Sequence, residues 1–207
     1  KINTETTCVT RQKDQFYVGT GNIYETVAIM AKRSDQIAAE MKSELNKKIE
    51  ELISKQVRTT TTLTKEQQLI AGGFEANQGR MPWPVEKGYI SGHFGKHQHP
   101  VHEHVTIENK GIYLQTVQGA DARSIYEGEV TWCAQMNGSY AVIVQHGNYR
   151  TVYSQLKKIY VKQGDKLTAK QAIGQILTDE NEDNKTELYF QIYKDRSILN
   201  PSLWLAQ

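Results

Sequence analysis

The sequence predicts a mainly β protein: an antiparallel β-sandwich or barrel-like domain over residues 81–207, preceded by an N-terminal α-helical segment over residues 1–80. Three observations carry this prediction. Apolar residues recur at helical spacing through residues 23–57. Pro82 and Pro84 then flank Trp83 and force extended backbone. Beyond them the chain breaks into short apolar stretches punctuated by Gly, the texture of many short strands.

In the first segment Val27, Met30, Ile37, Met41, Leu45, Ile49 and Ile53 are spaced by three, four or multiples of these, with Lys, Glu, Gln and Asp between them. No Pro or Gly interrupts the run from Asn22 to Leu63. The stripe drifts, so it fits either a long helix packed on its own domain or the stump of a coiled coil. The β-branched tract Thr59 to Thr62 disfavours helix and predicts a break. Thr64 with Gln67 reads as a capping box opening a short helix over 65–76, which carries Leu69, Ile70 and Phe74 and is weakened by Gly72 and Gly73.

Strands are expected at 89–94, 111–116, 129–136, 140–146, 149–156, 172–178 and 186–193. Gly164-Asp165 marks a tight turn before the sixth. In 186–193, Leu188, Phe190 and Ile192 alternate with Glu187, Tyr189 and Gln191, so the first set faces a core and the second a groove or solvent. Residues 111–115 repeat the pattern, with Ile112 and Leu114 opposite Tyr113. In 130–134, strict alternation puts Val130, Trp132 and Ala134 on one face and Cys133 on the other.

Composition excludes several classes. With 38% hydrophobic residues and a mean hydropathy of −0.60, and no run of 18 or more apolar residues, the chain should not span a membrane through a helix. Lys plus Arg total 25 against 23 Asp plus Glu, and neither the part up to Arg80 nor the part after it carries the basic excess of a nucleic-acid binder. Two cysteines, Cys8 and Cys133, make no disulfide framework or structural zinc pattern. No phosphate loop or nucleophile elbow occurs.

Five of six histidines, His93, His97, His99, His102 and His104, fall within twelve positions around Pro100. Imidazole is the commonest zinc ligand, and alternate positions on a strand share a face, so the group is a metal candidate. A catalytic zinc site normally draws three fixed ligands from different strands, however, and a dense surface run binds metal adventitiously.

The run from Trp83 to Gln207 resembles the LytM or lysostaphin-like zinc endopeptidases of bacterial cell walls. The matching elements are PWPV, HFGKHQHP, GADARSIYEGEVTW, VIVQHGNYRTVYSQL, VKQGDKLTAKQAIG and TELYFQI, followed by Asn200 and Pro201. The resemblance implies that family's duplicated hybrid motif as the fold. It also places the family's chemistry on named positions. The His-x-x-x-Asp motif falls on Asn109 and Tyr113, the closing His-x-His on Glu187 and Tyr189, and the remaining catalytic His on Gln155. All five expected residues are replaced. Only Glu187 is a good zinc ligand, and one carboxylate does not hold the ion.

The resemblance therefore implies no zinc cofactor and no metal-assisted hydrolysis, and points to the non-catalytic, EnvC-type branch of murein hydrolase activators. The expected partner is a murein hydrolase such as an amidase, or a division component, bound in a groove lined by Asn109, Tyr113, Gln155, Glu187 and Tyr189. Two alternatives stay open. One is a peptidoglycan-binding scaffold in which Tyr113, Tyr189 and Gln155 touch glycan or stem peptide. The other is a divergent zinc peptidoglycan endopeptidase using His97, His99, His102 and His104. The implied compartment is the periplasm or cell envelope of a bacterium, reached as a secreted chain with its signal peptide removed.

Overall fold

A computed structural model of the chain describes residues 19–59, 63–98, 106–136, 138–179 and 184–206. Helix α1 spans Ile23–Thr59. It opens where the Asn22 side-chain oxygen accepts the Tyr24 N–H at 2.9 Å, a cap for one of the orphan first-turn donors. The chain divides into two compact units, Lys1–Leu45 and Asn46–Gln207, whereas the change of sequence texture lies near residue 80. In the first unit the apolar positions Val27, Met30, Ile37 and Met41 are exposed. In the second, Ile49 and Ile53 of the same stripe are buried.

Helix α2 spans Lys65–Ala76 with the expected capping box. Thr64 accepts the Gln67 N–H, and the Gln67 side chain accepts the Thr64 N–H. Gly73 does not break it. A Cβ there would stand 2.4 Å from the Tyr126 hydroxyl, so the glycine admits a close approach. Phe74, fully buried on α2, gathers an aromatic cluster: its ring lies 4.8–5.6 Å from those of Tyr126, His146, Tyr149 and Trp204.

The strands are β1 Tyr89–Gly92, β2 Gly95–Gln98, β3 Thr106–Asn109, β4 Ile112–Thr116, β5 Asp121–Arg123, β6 Gly128–Met136, β7 Ser139–His146, β8 Tyr149–Ile159, β9 Lys166–Leu167, β10 Ala172–Ile176, β11 Thr178–Asp179, β12 Lys185–Lys194 and β13 Ser197–Leu199. The large sheet runs β1-β4-β12-β8-β7-β6-β9, all antiparallel. β10 joins β8 and β5, β11 and β13 flank β12, and β2-β3 form a separate hairpin. All seven expected strands are present, and the architecture is the mainly antiparallel β fold with an N-terminal helical segment that the sequence predicts.

Two local irregularities redirect side chains. β8 pairs with β12 up to Ser154 and with β10 from Leu156. Gln155, between them, has φ 67°, the left-handed region that L side chains rarely adopt. The strand changes partner at that residue, and its carbonyl accepts the Leu177 N–H at 2.8 Å. In β6 the register with β7 shifts between Val130 and Trp132. That bulge at Thr131 inverts the alternation, so Cys133, expected opposite Val130, packs against the same core as Val130.

One face of β12, β8 and β7 builds the main core: Leu188, Phe190 and Ile192 with Tyr149, Tyr153, Val142 and Val144. The opposite face is also covered. Ile143, Val152, Tyr189, Gln191 and Tyr193 are buried there, as are Asn46, Ile49 and Ile53 of α1. None of these joins the main core cluster. From Asn46 onward, positions 46, 49, 50 and 53 present one helical face to this outer surface.

Candidate functional site

The outer face of β4 and β12 brings together two of the five predicted positions directly. Tyr113 and Tyr189 are register partners, and their rings lie 4.6 Å apart at an interplanar angle of 31°. Cross-strand aromatic pairs of this kind are stabilising and space-filling. Gly92 of β1 stands against Tyr113, where a Cβ would come 2.7 Å from the ring. The two phenols therefore fill the space between β1, β4 and β12.

Glu187 lies two residues before Tyr189 on the same face. It accepts a hydrogen bond from Ser91 Oγ at 2.5 Å and pairs with Lys185 at 3.2 Å. Gln155 follows Ser154, which stands opposite Tyr189 in the β8–β12 register, so the partner switch in β8 places it at the end of that pairing. Asn109 is buried at the end of β3. Its amide donates to the His93 carbonyl at 3.0 Å and to His97 Nε2 at 3.1 Å. An amide N–H only donates, so in this contact His97 Nε2 is the acceptor. The lone pair that His97 would offer a metal is thereby engaged. His99, His102 and His104 lie outside the described residues.

At the positions that the resemblance assigns to zinc ligands, the chemistry is amide and phenol. Burial pushes the Tyr189 hydroxyl up to about 12. Tyr113 is pushed up further by burial and by the neighbouring Tyr189 and Glu187. Both remain neutral at physiological pH, so neither offers a phenolate. Among the described residues, no three or more His, Cys, Asp or Glu side chains are grouped so as to hold a metal ion. This donor set does not fit zinc.

Sequence reasoning placed Tyr189 and Gln191 toward a groove or solvent; the structure buries both, at 2% and 0% exposure. The cover is α1. The Gln191 amide nitrogen lies 3.4 Å from Asn46 Oδ1, 3.3 Å from the Lys110 carbonyl and 3.4 Å from the hydroxyls of Tyr189 and Tyr193. One NH2 group has two hydrogens for these four acceptors, so they share it loosely. Glu50 pairs with Lys110 beside them. Asn46, Glu50, Lys110 and Tyr193 were not singled out in the sequence. The available signal was Asn46, a polar residue at the edge of the apolar stripe, three positions before Ile49.

Comparison with known proteins places the domain. Residues 107–201 match Peptidase family M23. An uncharacterized protein of Neisseria meningitidis serogroup B is 33% identical over 137 residues, 65% of this chain and 22% of that protein. The murein hydrolase activator EnvC of Escherichia coli K12 is 24% identical over 138 residues, 66% of this chain and 31% of that protein. A chain in the crystal structure of the SpoIIIAH and SpoIIQ complex superposes with a TM-score of 0.50 at 26% identity, covering 59% of this chain and 97% of that one. The chain thus spans only about a fifth to a third of the length of these curated relatives.

Proposed function

We propose, from the premise that this chain carries a LytM-like Peptidase family M23 domain, that it is a non-catalytic regulator or activator of murein hydrolases acting through a degenerate peptidase groove. The observation that carries the reading is the Tyr113–Tyr189 pair: two neutral phenols with rings 4.6 Å apart stand where the family places an Asp and a His ligand. Without a bound metal there is no Lewis acid and no acidified water, and one carboxylate, Glu187, replaces an assisting imidazole. The likeness to EnvC, named a murein hydrolase activator, supports a protein partner of that class, and the compartment that follows is the bacterial envelope. No helix among the described residues is long and apolar enough to cross a membrane.

In this reading the α1 face from Asn46 to Ile53 occupies the outer surface beside the tyrosine pair and holds it closed until a partner displaces it. The scaffold alternative draws support from the likeness to a chain of the SpoIIIAH and SpoIIQ complex. Its glycan contact cannot run through Tyr189, which is buried.

The test is direct. The untagged protein, dialysed against a weak chelator, should retain well under one zinc per chain and release no soluble fragments from peptidoglycan, with or without added zinc. Stoichiometric zinc that is lost in a combined His97, His99, His102 and His104 variant, together with measurable cutting, would replace this reading with the divergent endopeptidase.

A further inference from the structure

The outer face of β8 and β12 buries more polar atoms than the protein satisfies. Arg150, Val152 and Ser154 alternate on β8 and stand opposite Tyr193, Gln191 and Tyr189 on β12. They therefore share the face that α1 covers. Arg150 is 2% exposed. Its Nε and Nη1, the Ser154 hydroxyl and the Gln191 carbonyl oxygen have no hydrogen-bond partner among the described residues. Desolvation lowers the Arg150 pKa, opposed only by Asp195, which is exposed at the β12–β13 turn.

Burying a guanidinium without a matched acceptor is costly, and replacing such a group by an apolar one of similar size commonly stabilises a fold. A surface serving only to seat α1 would carry apolar or fully mated groups. α1 instead brings two isoleucines, the Asn46 amide and the Glu50 carboxylate, and that carboxylate goes to Lys110 rather than Arg150. α1 thus supplies no counterpart to this positive charge, and the carboxylate that acts on it, Asp195, is exposed at the turn.

We propose that this face is the docking surface for an acidic segment of the partner hydrolase. A carboxylate of that segment pairs with Arg150, and its polar atoms complete Ser154 and Gln191, in the place α1 takes in the resting chain. The inference rests on the regulator reading and adds the charge of the partner to it. Arg150 here determines specificity and takes no part in chemistry.

The experiment uses the full chain and a purified cell-wall amidase. Arg150→Met should raise the melting midpoint of the isolated protein by about 2–4 °C and weaken amidase binding at least about 10-fold. Arg150→Lys should recover part of the binding, because it restores the charge but not the two-pronged geometry. A lower midpoint for Arg150→Met shows that the guanidinium is already well mated, and overturns the proposal. Unchanged amidase binding by Arg150→Met overturns this inference alone, and failure of the wild type to bind any amidase overturns the regulator reading and the inference with it. Concentration-dependent self-association that Arg150→Met abolishes would replace the hydrolase by a second copy as the occupant.

Discussion

If the α1 face from Asn46 to Ile53 is a removable cover, replacing Ile49 by Ala should open it without unfolding the sheet. Ile49 is fully buried yet stands outside the main core cluster, so its loss falls on the helix–sheet layer. Truncating a buried Ile to Ala costs about 2–5 kcal/mol. The polar contacts add little to resist opening. Glu50 and Lys110 are 42% and 37% exposed, a partly solvated pair worth at most about 1 kcal/mol, and the Gln191–Asn46 contact is long at 3.4 Å. At about 1.4 kcal/mol per tenfold, amide hydrogens from Asn46 onward in α1 should exchange roughly 30- to 4,000-fold faster in Ile49→Ala. Those of β8 and β12 should keep their protection. Apparent affinity for an amidase should rise with the open fraction until that fraction nears one. Met41→Ala, at a position 42% exposed, is the control and should change neither. Equal acceleration across helix and sheet would refute the reasoning, because the helix would then leave only when the whole domain unfolds.

Three further outcomes follow. His146 is fully buried, with its ring nitrogens held by the Glu127 carbonyl at 2.6 Å and the Thr151 hydroxyl at 2.9 Å. Burial lowers its pKa to about 4. The unfolded chain therefore binds a proton first, so stability is complete above pH 6.5 and falls by roughly 3 kcal/mol as the pH drops toward 4. Urea melts across that range check this, and a His146 ring that titrates near 6.5 by NMR in the folded protein would contradict it. Gly92→Ala drives a Cβ against the Tyr113 ring and should cost about 1–3 kcal/mol, with near-ultraviolet circular dichroism reporting a disturbed tyrosine pair; an unchanged melt would show that the pair is loosely seated. Asn109→His, Tyr113→Asp and Tyr189→His together should raise zinc affinity, measured by competition with a chromophoric chelator, without restoring wall cleavage. Cleavage at the rate of an active family member would show that Gln155 and Glu187 do not limit the chemistry.

The sequence alone determined whatever depends on neighbours within a few positions. The capping box at Thr64 and Gln67 was readable because both partners lie in one turn. The seven main strands were readable from their alternation, and the core face of β12 from the period of Leu188, Phe190 and Ile192. The shared outer face of Tyr113 and Tyr189 was readable too, because each stands opposite the core residues of its own strand. What needed the tertiary structure depends on partners far apart in the chain or on a break in local period. A one-residue bulge at Thr131 moved Cys133 to the core, which alternation forbids. The left-handed turn at Gln155 exists because β8 must leave β12 and join β10. The burial of Tyr189 and Gln191 comes from Asn46, 145 residues from Gln191 in sequence. A strand's period tells which side chains share a face; only the element packed on that face decides whether they meet water, a partner or the chain's own helix.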